Sequence, residues 1–155
     1  MAADTEPTRI GLVCDTRRWS YGDLLQAARG AALNILQSGC SHVALLDESS
    51  EAAAIALFAA AIAGVPYVPL NYRLPNPDLS ALLSRIAPAY VIGDAERIGQ
   101  LNPEGHHVVH ARATFVAEAE KLGATAIPTG APAGCDPTCK SQPGVRTSGS
   151  AAGPP

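Results

Sequence analysis

The residues whose types first invite chemistry are histidines and cysteines near the end of the chain. His106, His107 and His110 fall in the run HHVVH, and Cys135 and Cys139 follow in CDPTC. Imidazole nitrogens and thiolates are the ordinary ligands of zinc, and on a helix His106 and His110 would share a face. Val108 and Val109 favour a strand instead, in which neighbouring side chains point to opposite faces. The C-x₃-C spacing also lacks a second matching pair. These residues therefore read as a histidine-bearing surface strand and two tail thiols, with no metal site. Asp47-Glu48 is a carboxylate pair in a strand-to-helix turn. Such turns form sites at the carboxyl ends of parallel strands, but acids at a helix start also serve simply as partners of the helix dipole. Cys14 is followed by Asp15, and nothing in the sequence lowers its thiol pKa. No Ser-His-Asp or Cys-His nucleophile is evident.

The elements that must position these groups alternate between strand and helix. Residues 9–14 (RIGLVC) form an apolar run, predicted as a first strand, and residues 15–18 a polar turn. Ser20 with Asp23 three residues on is a capping pair, opening a helix whose face carries Leu24, Leu25, Ala28, Ala31, Ala32, Ile35 and Leu36 and which stops at Gly39. Residues 42–47 (HVALLD) hold an unbroken apolar run between His42 and Asp47, the pattern of a strand buried on both faces in a parallel sheet. Ser50 is placed to cap a helix from Glu51, where Ile55, Phe58, Ala59, Ile62 and Ala63 share a face and Gly64 ends the run. Residues 67–70 (YVPL) follow as a strand closed by proline. Asn76 is placed to cap a helix with Pro77 at its first position and a stripe of Leu79, Leu82, Leu83 and Ile86. Residues 89–92 predict a strand, 95–101 a short helix, 107–110 a further strand, and 114–122 a further helix capped by Gly123. The fold class this implies is α/β, a partial and mostly parallel sheet flanked by helices. The organisation expected is an incomplete subdomain over residues 1–127 and a Pro/Gly/Ser-rich tail over 128–155, too poor in apolar residues to offset its ordering entropy.

Composition excludes several classes. At 155 residues the chain is the size of one domain, and its net charge of −3 gives no electrostatic basis for binding nucleic acid. The stretch 52–70 is built largely on alanine and interrupted by Gly64, Pro66 and Pro69, so it reads as a core helix and strand and not a membrane span. The first ten residues lack the basic and apolar regions of a secretory leader, and a cytoplasmic protein is expected, with Cys14 and Cys40 as small core residues and free thiols.

Three stretches resemble the N-terminal part of the adenylate-forming (AMP-binding) ligases, a family that includes acyl-CoA synthetases, aryl-CoA ligases and peptide-synthetase adenylation domains. Residues 19–25 (WSYGDLL) resemble the family's (T/S)Y-x-(E/D)-L helix start, and residues 42–46 (HVALL) its RVALLLPNS strand. Residues 57–74 (LFAAAIAGVPYVPLNYRL) are similar to its AG-A-x-Y-V-P-L-N-x-R-L signature. As written, Asn71-Tyr72-Arg73 stands nearest the acyl- and aryl-CoA ligase branch.

The resemblance implies ATP-dependent activation of a fatty or aryl carboxylic acid to an acyl-adenylate, then transfer to a thiol such as coenzyme A, with Mg²⁺ neutralising the phosphates. Thr147, Ser148, Gly149 and Ser150 match the family's phosphate loop T-S-G-(S/T)-T-G-x-P-K, where backbone N–H groups and hydroxyls cradle phosphate oxygens. Ala151 and Ala152 replace the loop's threonine and second glycine, and Pro155 stands in the place of its lysine. The family's other catalytic motifs, including the catalytic lysine, lie beyond the likeness. The resemblance therefore implies an N-terminal fragment that is inactive by itself, binds no cofactor, has no catalytic residue of its own, and self-associates through uncovered sheet edges. The alternative from another class is a small non-catalytic α/β module that binds a nucleotide or a protein.

Overall fold

The computed structural model describes residues 2–101 and 107–125. A short helix α1 (Ala2–Thr5) precedes an antiparallel hairpin, β1 (Ile10–Cys14) and β2 (Arg17–Ser20), and then come α2 (Tyr21–Ser38), β3 (His42–Leu46), α3 (Glu51–Ala63), β4 (Tyr67–Pro69), α4 (Asn76–Arg85), β5 (Ala89–Gly93), α5 (Ala95–Leu101), β6 (Val108–Ala111) and α6 (Arg112–Thr125). The last four strands make one parallel sheet in the order β4-β3-β5-β6. The α/β class and the parallel sheet expected from the strand–helix alternation are what the chain forms.

The two central strands explain the layers. Val43, Leu45, Tyr90 and Ile92 point into one core with Ile35, Ile55 and Phe115 from α2, α3 and α6. Ala44, Leu46, Ala89 and Val91 point into a second core with Leu79 and Leu83 of α4 and Ile98 of α5. Side chains alternate across a strand, so a run that is apolar at every position must be covered on both faces. The continuous run HVALL predicted this correctly. Pro69 lies on the edge strand β4, where its missing N–H breaks no inner ladder.

Local signals fixed most helix ends. Ser20 and Asp23 form a reciprocal capping box: the Asp23 N–H donates to Ser20 Oγ at 3.1 Å and the Ser20 N–H to Asp23 Oδ2 at 3.1 Å. Gly39 and Gly64 both adopt the left-handed conformation that ends α2 and α3, with φ of 68° and 72°.

Several expectations are corrected. The first strand forms as predicted, but Arg17 and Arg18, read as part of a polar turn, belong with Trp19 and Ser20 to a second strand that pairs with it, and the hairpin closes through Asp15 at φ 51°. Ser50 does not cap α3 through its side chain; its hydroxyl donates to Asp47 Oδ2 at 2.8 Å. Pro75, not Asn76, occupies the cap position of α4, and the Asn76 amide donates to Gln100 Oε1 at 3.3 Å. On α3 the buried face is Ala52, Ile55, Ala56, Ala59 and Ala60, whereas Phe58 and Ile62 are 51% and 48% exposed. A helix apolar all round has no preferred face of its own, and packing against the alanines of α2 chose the slimmer side. Leu36, assigned to the buried face of α2, is exposed.

Gly123 is no cap. Helix α6 runs through it to Thr125. A Cβ on Gly123 would overlap the carbonyl oxygen of Gln26, and one on Gly30 would overlap that of Ala119. The two glycines let the backbones of α2 and α6 touch, which a side chain at either position would forbid. Gly123→Ala is accordingly expected to destabilise the chain by about 1–3 kcal/mol or more through overpacking. Gly99→Ala, in a helix with open space around it, should be neutral or slightly stabilising. Urea melts of the two variants check this, and equal midpoints would contradict the close helix contact.

Candidate functional site

All strands of the sheet are parallel, so their carboxyl ends share one edge. The chain leaves β3 for β4 on one side, then returns across to β5 on the other. Such a reversal opens a crevice between the strands that flank it. Here a crevice of ≈ 460 Å³ opens there, lined by Asp47 and Glu48 after β3, Tyr72 after β4, Asp94 and Arg97 after β5, and Arg112 after β6. Gly93 ends β5 beside β3, and a Cβ on it would overlap the carbonyl oxygen of Leu46.

The charges in this crevice are largely spent on the protein itself. Asp47 Oδ1 accepts from Arg112 Nη1 at 3.1 Å, and its Oδ2 accepts from the Ser50 hydroxyl. Asp94 Oδ1 accepts from the Arg97 backbone N–H at 2.8 Å, capping α5. The Arg97 guanidinium donates to the backbone carbonyl of Tyr72 and, at 2.7 Å, to that of Leu74. Arg73 Nε donates to the Tyr72 hydroxyl at 3.2 Å, with the guanidinium 5.4 Å from the ring.

A second knot of charge ties the hairpin to the helices. Arg17 lies over the Trp19 ring at 4.5 Å, and pairs with Glu120 at 2.5 Å and Glu51 at 3.7 Å. Burial pushes the Glu51 carboxyl up. Its own backbone N–H, the Cys14 thiol, Arg17 and Arg112 outweigh that and hold it below the usual range. The neighbouring Glu51 side chain in turn pushes the Cys14 thiol up, and Cys14 is only partly buried, not the apolar core residue expected. Cys40 is buried, as expected.

The sequence-derived candidates separate. Asp47 and Glu48 do line the crevice. His107 and His110 sit at and on strand β6, as the valines between them implied. His107 Nδ1 accepts from the Ala89 N–H at 3.2 Å, and His110 stacks on Tyr90 with ring centroids 4.5 Å apart. Burial holds the His110 imidazole below its ordinary pKa, against the opposing pull of Glu118. Among the described residues no group of three His, Cys, Asp or Glu side chains is placed to hold a metal ion. His106, Cys135, Cys139 and the loop Thr147, Ser148, Gly149 and Ser150 lie outside the described residues, as does the tail from 128. Sequence reasoning missed Asp94, Arg97 and Arg112. The signal available was their position, directly after strands whose parallel run was already legible.

A doubly wound parallel sheet with its crevice at the reversal is an α/β unit of the kind in which ligands bind at that edge. The chain belongs to the AMP-binding enzyme family, whose model matches residues 1–143. It is 33% identical over 92 residues to the hybrid PKS-NRPS synthetase iliA of Neonectria sp. (strain DH2), a stretch covering 57% of this chain and 2% of that protein. A putative long-chain-fatty-acid CoA ligase from Rhodopseudomonas palustris CGA009 superposes with a TM-score of 0.65 at 26% identity, over 70% of this chain and 30% of that one. The N-terminal domain of FACL13 from Mycobacterium tuberculosis superposes with a TM-score of 0.66 at 24% identity, over 76% of this chain and 33% of that one, and shows the shared fold. The chain thus spans a small part of the synthetase and about a third of the solved ligases.

The family's nucleotide does not fit the described residues. A triphosphate needs free N–H donors and net positive charge. In the crevice Arg97 is committed to carbonyls, Arg112 to Asp47, and the carboxylates of Glu48 and Asp94 stand beside them.

The effect of Glu51 on the Cys14 thiol is directly testable. A raised thiol pKa leaves less thiolate, the reactive form, at mildly alkaline pH. Glu51→Gln removes the carboxylate that holds the proton on Cys14, and is expected to speed alkylation of Cys14 by iodoacetamide several-fold at pH 8, followed by peptide mass spectrometry. An unchanged or slower rate would contradict the assignment.

Proposed function

We propose that the chain is the N-terminal α/β part of an acyl-CoA ligase-type enzyme, one that uses ATP to activate a carboxylic acid, fatty or aryl, for transfer to coenzyme A, and that these 155 residues do not turn over by themselves. The observation that carries the reading is the family signature at residues 57–74, folded as α3, Gly64, β4 and the turn at Asn71 at the edge of the parallel sheet β4-β3-β5-β6. The CoA ligase from Rhodopseudomonas palustris, at 26% identity, supports the acyl-CoA branch.

The described residues support inactivity by their bonding: Arg112 is paired with Asp47 and Arg97 is committed to two backbone carbonyls, which leaves no free arginine among the crevice's lining to cradle a triphosphate. Thr147, Ser148, Gly149 and Ser150 are proposed as the remnant of the phosphate loop, weakened by Ala151, Ala152 and Pro155. Mg²⁺ and coenzyme A belong to the parent reaction in this reading and are not assigned to residues of this chain. The chain acts in the cytoplasm in this reading. Its uncovered surface, including Leu57, Phe58 and Ile62 of α3, favours self-association.

The test is ATP–pyrophosphate exchange on the 155-residue chain with a mixture of fatty and aryl carboxylates. Exchange no faster than the protein-free blank is the expected result. Robust acid-dependent exchange would overturn the claim of inactivity while leaving the family assignment intact.

A further inference from the structure

We propose that Arg97 is a positioning residue: its guanidinium fork fixes the turn at residues 71–74, so that Tyr72 stands as a rigid wall of the crevice at the sheet's carboxyl end. The inference goes beyond the reading above and does not depend on it.

The turn carries its own local order. The Leu74 N–H donates to the Asn71 carbonyl at 3.0 Å, closing a β-turn, and the Arg73 N–H donates to Asn71 Oδ1 at 3.0 Å, an Asx turn. Those bonds shape the turn but do not attach it to anything. Attachment comes from α5. Arg97 donates to the carbonyls of Tyr72 and Leu74, which flank the turn's tip, and Ile98 beside it is fully buried in the second core. Tyr72 and Leu74 are packed at the margin of that same core.

The placement of Arg97 runs against local preference. A cation in the first turn of a helix opposes the helix dipole, where an acid would be favoured. Arg97 holds that position while donating to carbonyls more than twenty residues away in sequence. The planar fork suits two carbonyls at fixed separation, and a lysine could serve only one at a time with good geometry. Both contacts are partly buried, so losing the fork leaves carbonyls under-satisfied unless the turn moves out to water.

The experiment is ¹⁵N relaxation on the full chain and its Arg97→Ala and Arg97→Lys variants, without ligand, so its outcome does not depend on whether the family's substrate is bound. In the native chain the amides of Arg73 and Leu74 are expected to have order parameters in the rigid range, about 0.85, falling below about 0.6 in Arg97→Ala. Arg97→Lys should lie between, and the amides of β3 and β5 should be unmoved. Unchanged order parameters at Arg73 and Leu74 would overturn the proposal. So would loosening shared by the whole sheet, which would make Arg97 a general structural residue. Should Arg97→Ala not fold, the Arg97→Lys comparison at the same amides decides. Failure of the ligase reading would appear in the exchange assay and leave these order parameters as they are.

Discussion

The constraint on which this structure depends is the burial of β3 and β5 on both faces. Val43 and Leu45 demand one helical layer, Ala44 and Leu46 another, and Tyr90, Ile92, Ala89 and Val91 repeat the demand one strand away. Once both faces must be covered, the connections have to cross over, the strands run parallel, and their carboxyl ends gather at one edge. The crevice is a consequence of that arrangement. Asp47, Asp94 and Arg112 meet there because each follows directly on a parallel strand.

The same reasoning explains what could be read from the residues. The run at residues 43–46 is apolar at every position, so the depth of β3 in the sheet was legible, and so were α2, with its reciprocal Ser20–Asp23 cap, and the glycine stops at 39 and 64. The limits of α5 match residues 95–101. The face of α3 was not legible. Its residues are apolar all round, and which side turned inward depended on the alanines of α2. Gly123 was misread for a related reason: a glycine late in a helix is the usual mark of its end, and only the partner backbone at Gln26 shows that its role is packing. The β2 strand was hidden because Arg17 and Arg18 suggest a turn, while the buried anchor is Trp19.

The candidate site was legible in part. Asp47 and Glu48 stood out as acids in a strand-to-helix turn. Arg97 and Arg112 did not, since nothing in their local sequence distinguishes them from other helix-start residues; their importance comes from reaching Tyr72, Leu74 and Asp47 across the fold. The outcome is a crevice with the form of a ligand site whose arginines are already committed within the protein. Family membership is secure from the match over residues 1–143. The signature at 57–74 folds as a helix, an edge strand and a turn, of which Tyr72 reaches the crevice.

Equilibrium binding of MgATP to the chain, followed by titration calorimetry, tests this account most directly. A crevice whose arginines are committed to carbonyls and to Asp47 should give no saturable heat, with any dissociation constant weaker than about 1 mM. A saturable micromolar isotherm, abolished by neutralising Arg112, would contradict it.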